Sequence, residues 1–229
     1  MISETQPGRL QQPLLFVLEE SAGSFELFPE VWGALEDLTK SDSALRRSAI
    51  DRLIELRAPR LSPLAAYVLS TRLDDPDIEI RGRVIRLVGE TLGTDENGLP
   101  APEEVRRVLL YYLSHIRTRM IFAILQAASR EDSLLQFVER ILDACPYAGA
   151  NLTDLLTDTH APLEIRHQAA IIIGRVGYLD AIPALEKIES RLEARLNGQK
   201  TMPFAPHPSS NETDLLPSIR ETINILRAP

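Results

Sequence analysis

Apolar side chains recur along the chain at steps of three and four residues, with charged side chains filling the positions between. Leu45, Ala49, Ile50, Leu53 and Leu56 mark such a stripe over residues 43–57. Leu64, Val68 and Leu73 mark one over 61–73, and Ile80, Val84, Leu87, Val88 and Leu92 one over 77–92. A period near 3.6 gathers these positions on one face of an α-helix. The same pattern predicts helices at 103–113, 115–129, 132–144, 162–177 and 179–196. A terminal helix over 213–227 would carry Leu216, Ile219, Ile223 and Leu226 on one face. Period-two alternation is absent and β-branched residues are scattered, so the expected fold is all-α.

The ends of these helices follow from short-range chemistry. Ser41-Asp42-Ser43 and Asp75-Pro76-Asp77 offer side-chain oxygens to the unpaired N–H groups of a first turn. Ala101-Pro102-Glu103-Glu104 opens another helix with acids where its dipole favours them. Gly93 and Gly177 fall where a left-handed C-terminal residue is expected. The longest breaks are 94–101 and 197–212, and the second, with three prolines, reads as an exposed loop. The expected organisation is an N-terminal segment 1–25, a helical body 26–196, the loop 197–212 and a C-terminal capping helix 213–229.

The body repeats itself. Asp42 to Ala49 and Asp77 to Val84 share an Asp four residues before an Arg, an aliphatic residue before that Arg and a small or aliphatic residue three after it. Arg46 and Arg81 are 35 residues apart (81 − 46). Weaker copies follow at Ile116-Arg117 and Ile165-Arg166, the last after a longer step that implies an irregular unit around 131–160. A period near 35 with two helices per unit predicts a right-handed α-solenoid of four or five helical hairpins, which bury their faces by stacking.

Residues 164–188, EIRHQAAIIIGRVGYLDAIPALEKI, resemble the HEAT-like repeat of the phycobilisome-lyase type. The resemblance rests on Ile165-Arg166, Ala169-Ala170, Gly174, Gly177 and Ala181-Ile182-Pro183-Ala184-Leu185. It extends more loosely over roughly 29–194, with Gly89 in the glycine place. It implies a HEAT-like fold and a structural ladder between neighbouring repeats, made of Asp42, Arg46, Asp77, Arg81, Arg117 and Arg166. Charge-assisted bonds of that kind fix geometry. The family name alone implies a bilin lyase as one alternative, and the resemblance to HEAT-like DNA glycosylases, which use a basic concave face, implies a nucleic-acid binder as another.

Composition narrows the choice. The chain has 229 residues, 44% hydrophobic and 25% charged, with a formal net charge of −8. Residues 1–40 and 131–229 are each net −5 and the middle, 41–130, is net +2. Affinity for nucleic acid rests largely on neutralising phosphates, so this balance weighs against a dedicated nucleic-acid binder. A stripe of Arg47, Arg83, Arg86, Arg117 and Arg119 is what such a binder would use. Cys145 is the one cysteine, which excludes a disulfide framework and a cysteine zinc cluster and fits a reducing compartment. No apolar run is long enough to cross a membrane and the N-terminus does not read as a secretory signal, so a cytoplasmic protein is expected.

No catalytic constellation stands out. His115, His160, His167 and His207 are not spaced as metal ligands, and nucleophile-elbow, Walker and dinucleotide motifs are absent. Neither a cofactor nor enzyme activity is expected. Cys145 precedes Pro146 with no basic neighbour in sequence and reads as core packing.

The more informative surface is the face of the second helix of each hairpin, opposite its core stripe. On helix 77–92 that face holds Gly82, Arg86 and Gly89, and the repeat offset carries it to Arg47, Phe122, His167 and Ile171. In HEAT-like arrays it lines the concave side. Helices 115–129 and 162–177 are apolar nearly all round and need cover on both sides. The terminal helix, a second copy in a homodimer, or a partner segment in the groove would each supply it. The expectation is a scaffold that takes a protein or peptide partner on the strip Arg47, Arg86, Phe122, His167 and Ile171.

Overall fold

The computed structural model describes residues 28–201 and 212–228, with residues 198–201 described by their backbone. The N-terminal segment 1–25, most of the 197–212 loop and His207 lie outside the described residues. Among the described residues there are twelve α-helices and no strand, so the protein is all-α. The helices are α1 (Pro29–Leu38), α2 (Ser43–Glu55), α3 (Ala58–Leu61), α4 (Pro63–Ser70), α5 (Ile78–Leu92) and α6 (Glu103–Leu113). They continue with α7 (Thr118–Ala128), α8 (Leu135–Asp143), α9 (Ala148–Thr157), α10 (Leu163–Val176), α11 (Ile182–Thr201) and α12 (Leu216–Arg227).

Local chemistry accounts for most of the boundaries. Asp42 Oδ1 accepts from Ala44 N at 2.8 Å to start α2. Asp77 Oδ1 accepts from Glu79 N at 3.0 Å to start α5. Ser62 Oγ accepts from Ala65 N at 3.0 Å, with Pro63 in the first turn of α4. Gly177 ends α10 at φ 87, in the left-handed region where glycine is favoured.

Gly93 differs from expectation. Its φ of −84 and ψ of −169 are extended, because the chain leaves α5 directly into a loop closed by the pairing of Thr94 with Pro100. The left-handed residue in that loop is Gly98, at φ 77. α11 also runs five residues beyond the expected end at 196, through Asn197 and Gly198 to Thr201. A single glycine weakens a helix without stopping it.

Three helices escaped the periodicity. α1 is short and holds Gly33, α3 is a single turn, and α9 opens on small and polar residues. Between α2 and α3 the chain turns at Arg57, whose φ of 54 makes it the one positive-φ residue other than glycine among those described.

Packing runs mainly between near neighbours in the chain: α1 on α2 and α4, α4 on α6, α7 on α9, α9 on α10, and α11 on α12. One continuous core joins them, with Leu53, Leu69, Ile80, Leu109, Ile121 and Leu125 fully buried. Burying each such side chain contributes about 1.5–3 kcal/mol.

Two further contacts rest on glycines. α8 and the 3-10 turn before it (Asp132–Leu134) reach back onto α5. A Cβ on Gly82 would meet Leu134 Cδ1 at 3.4 Å and one on Gly89 would meet Phe137 Cβ at 2.6 Å, so glycine permits this approach. α12 lies on α10, where Thr222 Oγ1 donates to Ala170 O at 2.9 Å and a Cβ on Gly174 would meet Thr222 Cγ2 at 3.3 Å.

Candidate interaction site

The ladder arginines occupy one structural position. Arg46, Arg81 and Arg166 are each the fourth residue of their helix, and all are buried. Each guanidinium turns back to carbonyl oxygens just upstream of its helix, in the preceding turn for Arg46 and Arg81 and at the end of α9 for Arg166. Arg46 Nη1 donates to Lys40 O at 3.1 Å and Ser41 O at 2.6 Å. Arg81 Nε donates to Asp75 O at 3.0 Å, and Arg166 Nε to Leu156 O at 2.9 Å. Arg81 Nη1 also ties α5 to α7 through Ala123 O and the Gln126 side chain, both at 2.9 Å.

The acids assigned to the ladder do other work. Asp42 and Asp77 cap helices. The carboxylate that pairs with Arg46 is Asp75, fully buried, which accepts from Nε and Nη2 at 2.9 Å each. Arg117 also departs from the set. It is exposed and precedes α7, so the position equivalent to Arg46 is the buried Ile121.

The strip expected to face a partner is largely occupied by the chain itself. Arg47 donates to Asp77 at 2.5 Å and lies 3.4 Å from Glu79. Arg86 donates to Glu131 at 2.6 Å, on the segment that brings α8 across α5. Phe122 is half-buried against the core, and α7 is enclosed by α5, α8, α9 and α10. Ile171 is half-buried on α10, whose outer side carries α12. His167 is half-buried and lines a depression of about 220 Å³ with Ser129, Glu164, Gln168 and Asp214. The five residues therefore form no single open surface. The nucleic-acid stripe is broken in the same way, since Arg47, Arg83 and Arg86 all hold carboxylates, Arg83 that of Asp51.

A different corner stays open. α6 and α7 meet at 107°, and the wedge between them holds a pocket of about 330 Å³. Asp74, Tyr112, His115, Arg117, Arg119 and Met120 line it. Four of the five tyrosines in the chain gather around it. Tyr112 stands in the wall with Tyr67 edge-on to its ring at 5.7 Å. Tyr111, 65% exposed, packs on His115 with ring centroids 4.6 Å apart. Tyr147, 57% exposed, lies with its ring 6.0 Å from the Arg117 guanidinium carbon.

The corner is held in shape. The Tyr111 carbonyl accepts from the Ser114 hydroxyl at 2.7 Å and lies 2.7 Å from His115 Nδ1. Thr118 Oγ1 donates to Asn151 Oδ1 at 2.7 Å and Asn151 Nδ2 to Tyr147 O at 2.7 Å, so Tyr147 is fixed beside Arg117. Burial, with the charge of Asp74 and the neighbouring Tyr67, pushes the Tyr112 phenol up to about 12, so it remains a hydrogen-bond donor at neutral pH. Among the described residues neither Arg117 nor Arg119 has a carboxylate within ion-pair distance. Sequence reasoning weighed Arg119 for nucleic acid alone and Arg117 for nucleic acid and the ladder. The available signal was the clustering of Tyr111, Tyr112, His115, Arg117 and Arg119 within nine positions.

Among the described residues, no three His, Cys, Asp or Glu side chains converge as metal ligands would. Cys145 is buried, and burial pushes its thiol up, away from the reactive thiolate. No single helix among the described residues is long and apolar enough to cross a membrane. Comparison of the chain with protein-family models, curated proteins and solved structures finds no match.

Proposed function

We propose that the protein is a non-catalytic interaction module of the cell interior, a right-handed solenoid of HEAT-like helical hairpins that takes a protein partner. The repeated placement of Arg46, Arg81 and Arg166 as the buried fourth residue of a helix, each donating to an upstream carbonyl, supports the repeat reading. The partner surface is the α6–α7 corner rather than the concave strip, where α8 and α12 already lie on α5 and α10. The observation that carries this reading is the gathering of Tyr67, Tyr111, Tyr112 and Tyr147 around Arg117 and Arg119. Tyrosine and arginine are enriched in interface hot spots, where each combines a large contact area with a polar tip.

The test is affinity capture from native lysate with the wild type, Tyr111→Ala, Arg119→Glu and the α12 surface variant Ile225→Ala, each checked by circular dichroism. Ile225 is exposed on another helix and serves as the control. A partner retained by the wild type and Ile225→Ala but lost by both corner variants supports the reading. Equal recovery by all four proteins, or no specific partner, overturns it.

A further inference from the structure

Resting on that reading, we infer that the α6–α7 corner binds an acidic peptide segment, whose carboxylates meet Arg117 and Arg119 while one of its aromatic or branched side chains enters the pocket between the helices. Local charge selects the class of ligand. Most arginines on the described helices hold carboxylates of the chain itself, as Arg47, Arg83, Arg86, Arg175 and Arg220 do. Arg117 and Arg119 are exposed, two positions apart and without an acidic partner among the described residues. Arg117 stands beside the Tyr147 ring, and each guanidinium offers a planar fork of donors that a carboxylate accepts in bidentate fashion.

Shape selects the rest. About 330 Å³ has room for a single large side chain. Tyr112 gives that side chain a flat wall for edge or stacked contact, and Met120 supplies an adaptable thioether. Asp74 is half-buried in the lining and makes no ion pair among the described residues. It can accept an N–H or O–H from the bound segment, and it repels a densely phosphorylated polymer. A peptide spaces its acids and can set them over the arginines, clear of Asp74. A nucleic-acid backbone carries a charge at every unit and gains most from a row of cations, which the paired Arg47, Arg83 and Arg86 do not provide.

The experiment is fluorescence anisotropy with a fluorescein-labelled synthetic peptide in which Glu and Asp flank a central Phe. Its Lys-substituted counterpart, the same peptide with Phe→Ala, and an oligothymidylate of matching charge are compared with it. The acidic peptide is expected to bind the wild type and to weaken as salt is raised. Arg117→Ala or Arg119→Ala is expected to lower its affinity at least about tenfold, as is loss of the central Phe. Both arginines are exposed, so these variants are expected to keep the helical spectrum of the wild type.

Equal binding of the acidic and Lys-substituted peptides overturns the inference, and so does binding unaffected by the arginine variants. Tighter binding of the oligothymidylate overturns it in favour of nucleic acid. A dimer in light scattering that dissociates in Arg119→Ala overturns it in favour of a second copy of the chain. If the peptides fail while Tyr111→Ala still loses a captured partner, the ligand class falls and the interaction module stands. If both fail, both fall.

Discussion

Gly89 on α5 and Phe137 on α8 stand so close that a methyl group on the glycine would lie 2.6 Å from Phe137 Cβ and 2.9 Å from its Cα. The second of these atoms is backbone and cannot rotate away. Gly89→Ala is therefore expected to push α8 off α5 and destabilise the protein by about 1–3 kcal/mol. Gly82 is the matched control, because the nearest atom to its added Cβ is the flexible Leu134 Cδ1 at 3.4 Å. Gly82→Ala is expected to be neutral or to stabilise by up to about 1 kcal/mol through helix propensity. Urea unfolding of the two variants checks the pair, and equal losses would contradict the difference in approach.

Which aspartate holds the first ladder arginine is open to direct measurement. Asp75 lies fully buried against Arg46, so Asp75→Ala leaves a guanidinium buried with part of its partner set missing. A loss of about 3–5 kcal/mol is expected. Asp77 caps α5 and reaches the half-exposed Arg47, so Asp77→Ala should cost about 1 kcal/mol. Thermal unfolding that ranks the two variants the other way would return the ladder role to Asp77.

Two turn positions should respond with opposite signs. Gly177 closes α10 at φ 87, and Gly177→Ala is expected to lower stability by about 1 kcal/mol. Arg57 holds φ 54 after α2, with an exposed side chain. Arg57→Gly relieves the left-handed strain and is expected to raise stability by up to about 1 kcal/mol, less what glycine adds to the freedom of the unfolded chain. Denaturant midpoints of the two variants lying on either side of the wild type would bear this out.

Glu212 gathers three arginines: Arg166 and Arg191 at 2.8 Å each, and Arg195 in direct contact. Burial pushes its carboxyl up, but the Arg166 hydrogen bond and the charges of Arg166, Arg191 and Arg195 outweigh that, and the net direction is below the usual glutamate range. A carboxyl depressed in the folded state stabilises the fold above its unfolded value, and the gain fades as pH falls through the folded one. Glu212→Gln is expected to destabilise the protein by about 1–2 kcal/mol at neutral pH. The gap between variant and wild type should close on acidification below the usual glutamate range. Unfolding curves across that window provide the check, and a gap independent of pH would mean that the contact acts by shape alone.

The helical class and most helix positions were legible because one strong signal, the 3.6-residue stripe, governs both. α2, α5, α6 and α10 fall within two residues of the pattern. The ladder arginines were legible in kind, since Arg46, Arg81 and Arg166 recur with the repeat. Arg117 misled because a local Ile-Arg pair looked like the repeat, while α7 begins one residue later and places the equivalent position at Ile121. The open strip misled for a related reason. Periodicity shows which face of α5 turns away from its core stripe, but it does not show what covers that face. Gly82 and Gly89 held the missing information, because two glycines one above the other on a helix mark a close approach by another backbone. The tyrosine corner depends on the 107° crossing of α6 and α7 and on α9 arriving beside them, relationships that neighbouring residues do not encode.

The return of α8 to α5 has a further consequence, for how the protein comes apart. Units that touch only their sequence neighbours can peel away one at a time from an end. Here Arg140 on α8 reaches the Gly89 carbonyl on α5 across 51 positions of sequence, past α6 and α7. That clasp straddles helices that would otherwise separate independently, so releasing one of them weakens the others. Helices α5 to α8 should therefore melt together in one sharp transition, folding more slowly than a simple stack of the same length because this distant contact must close first.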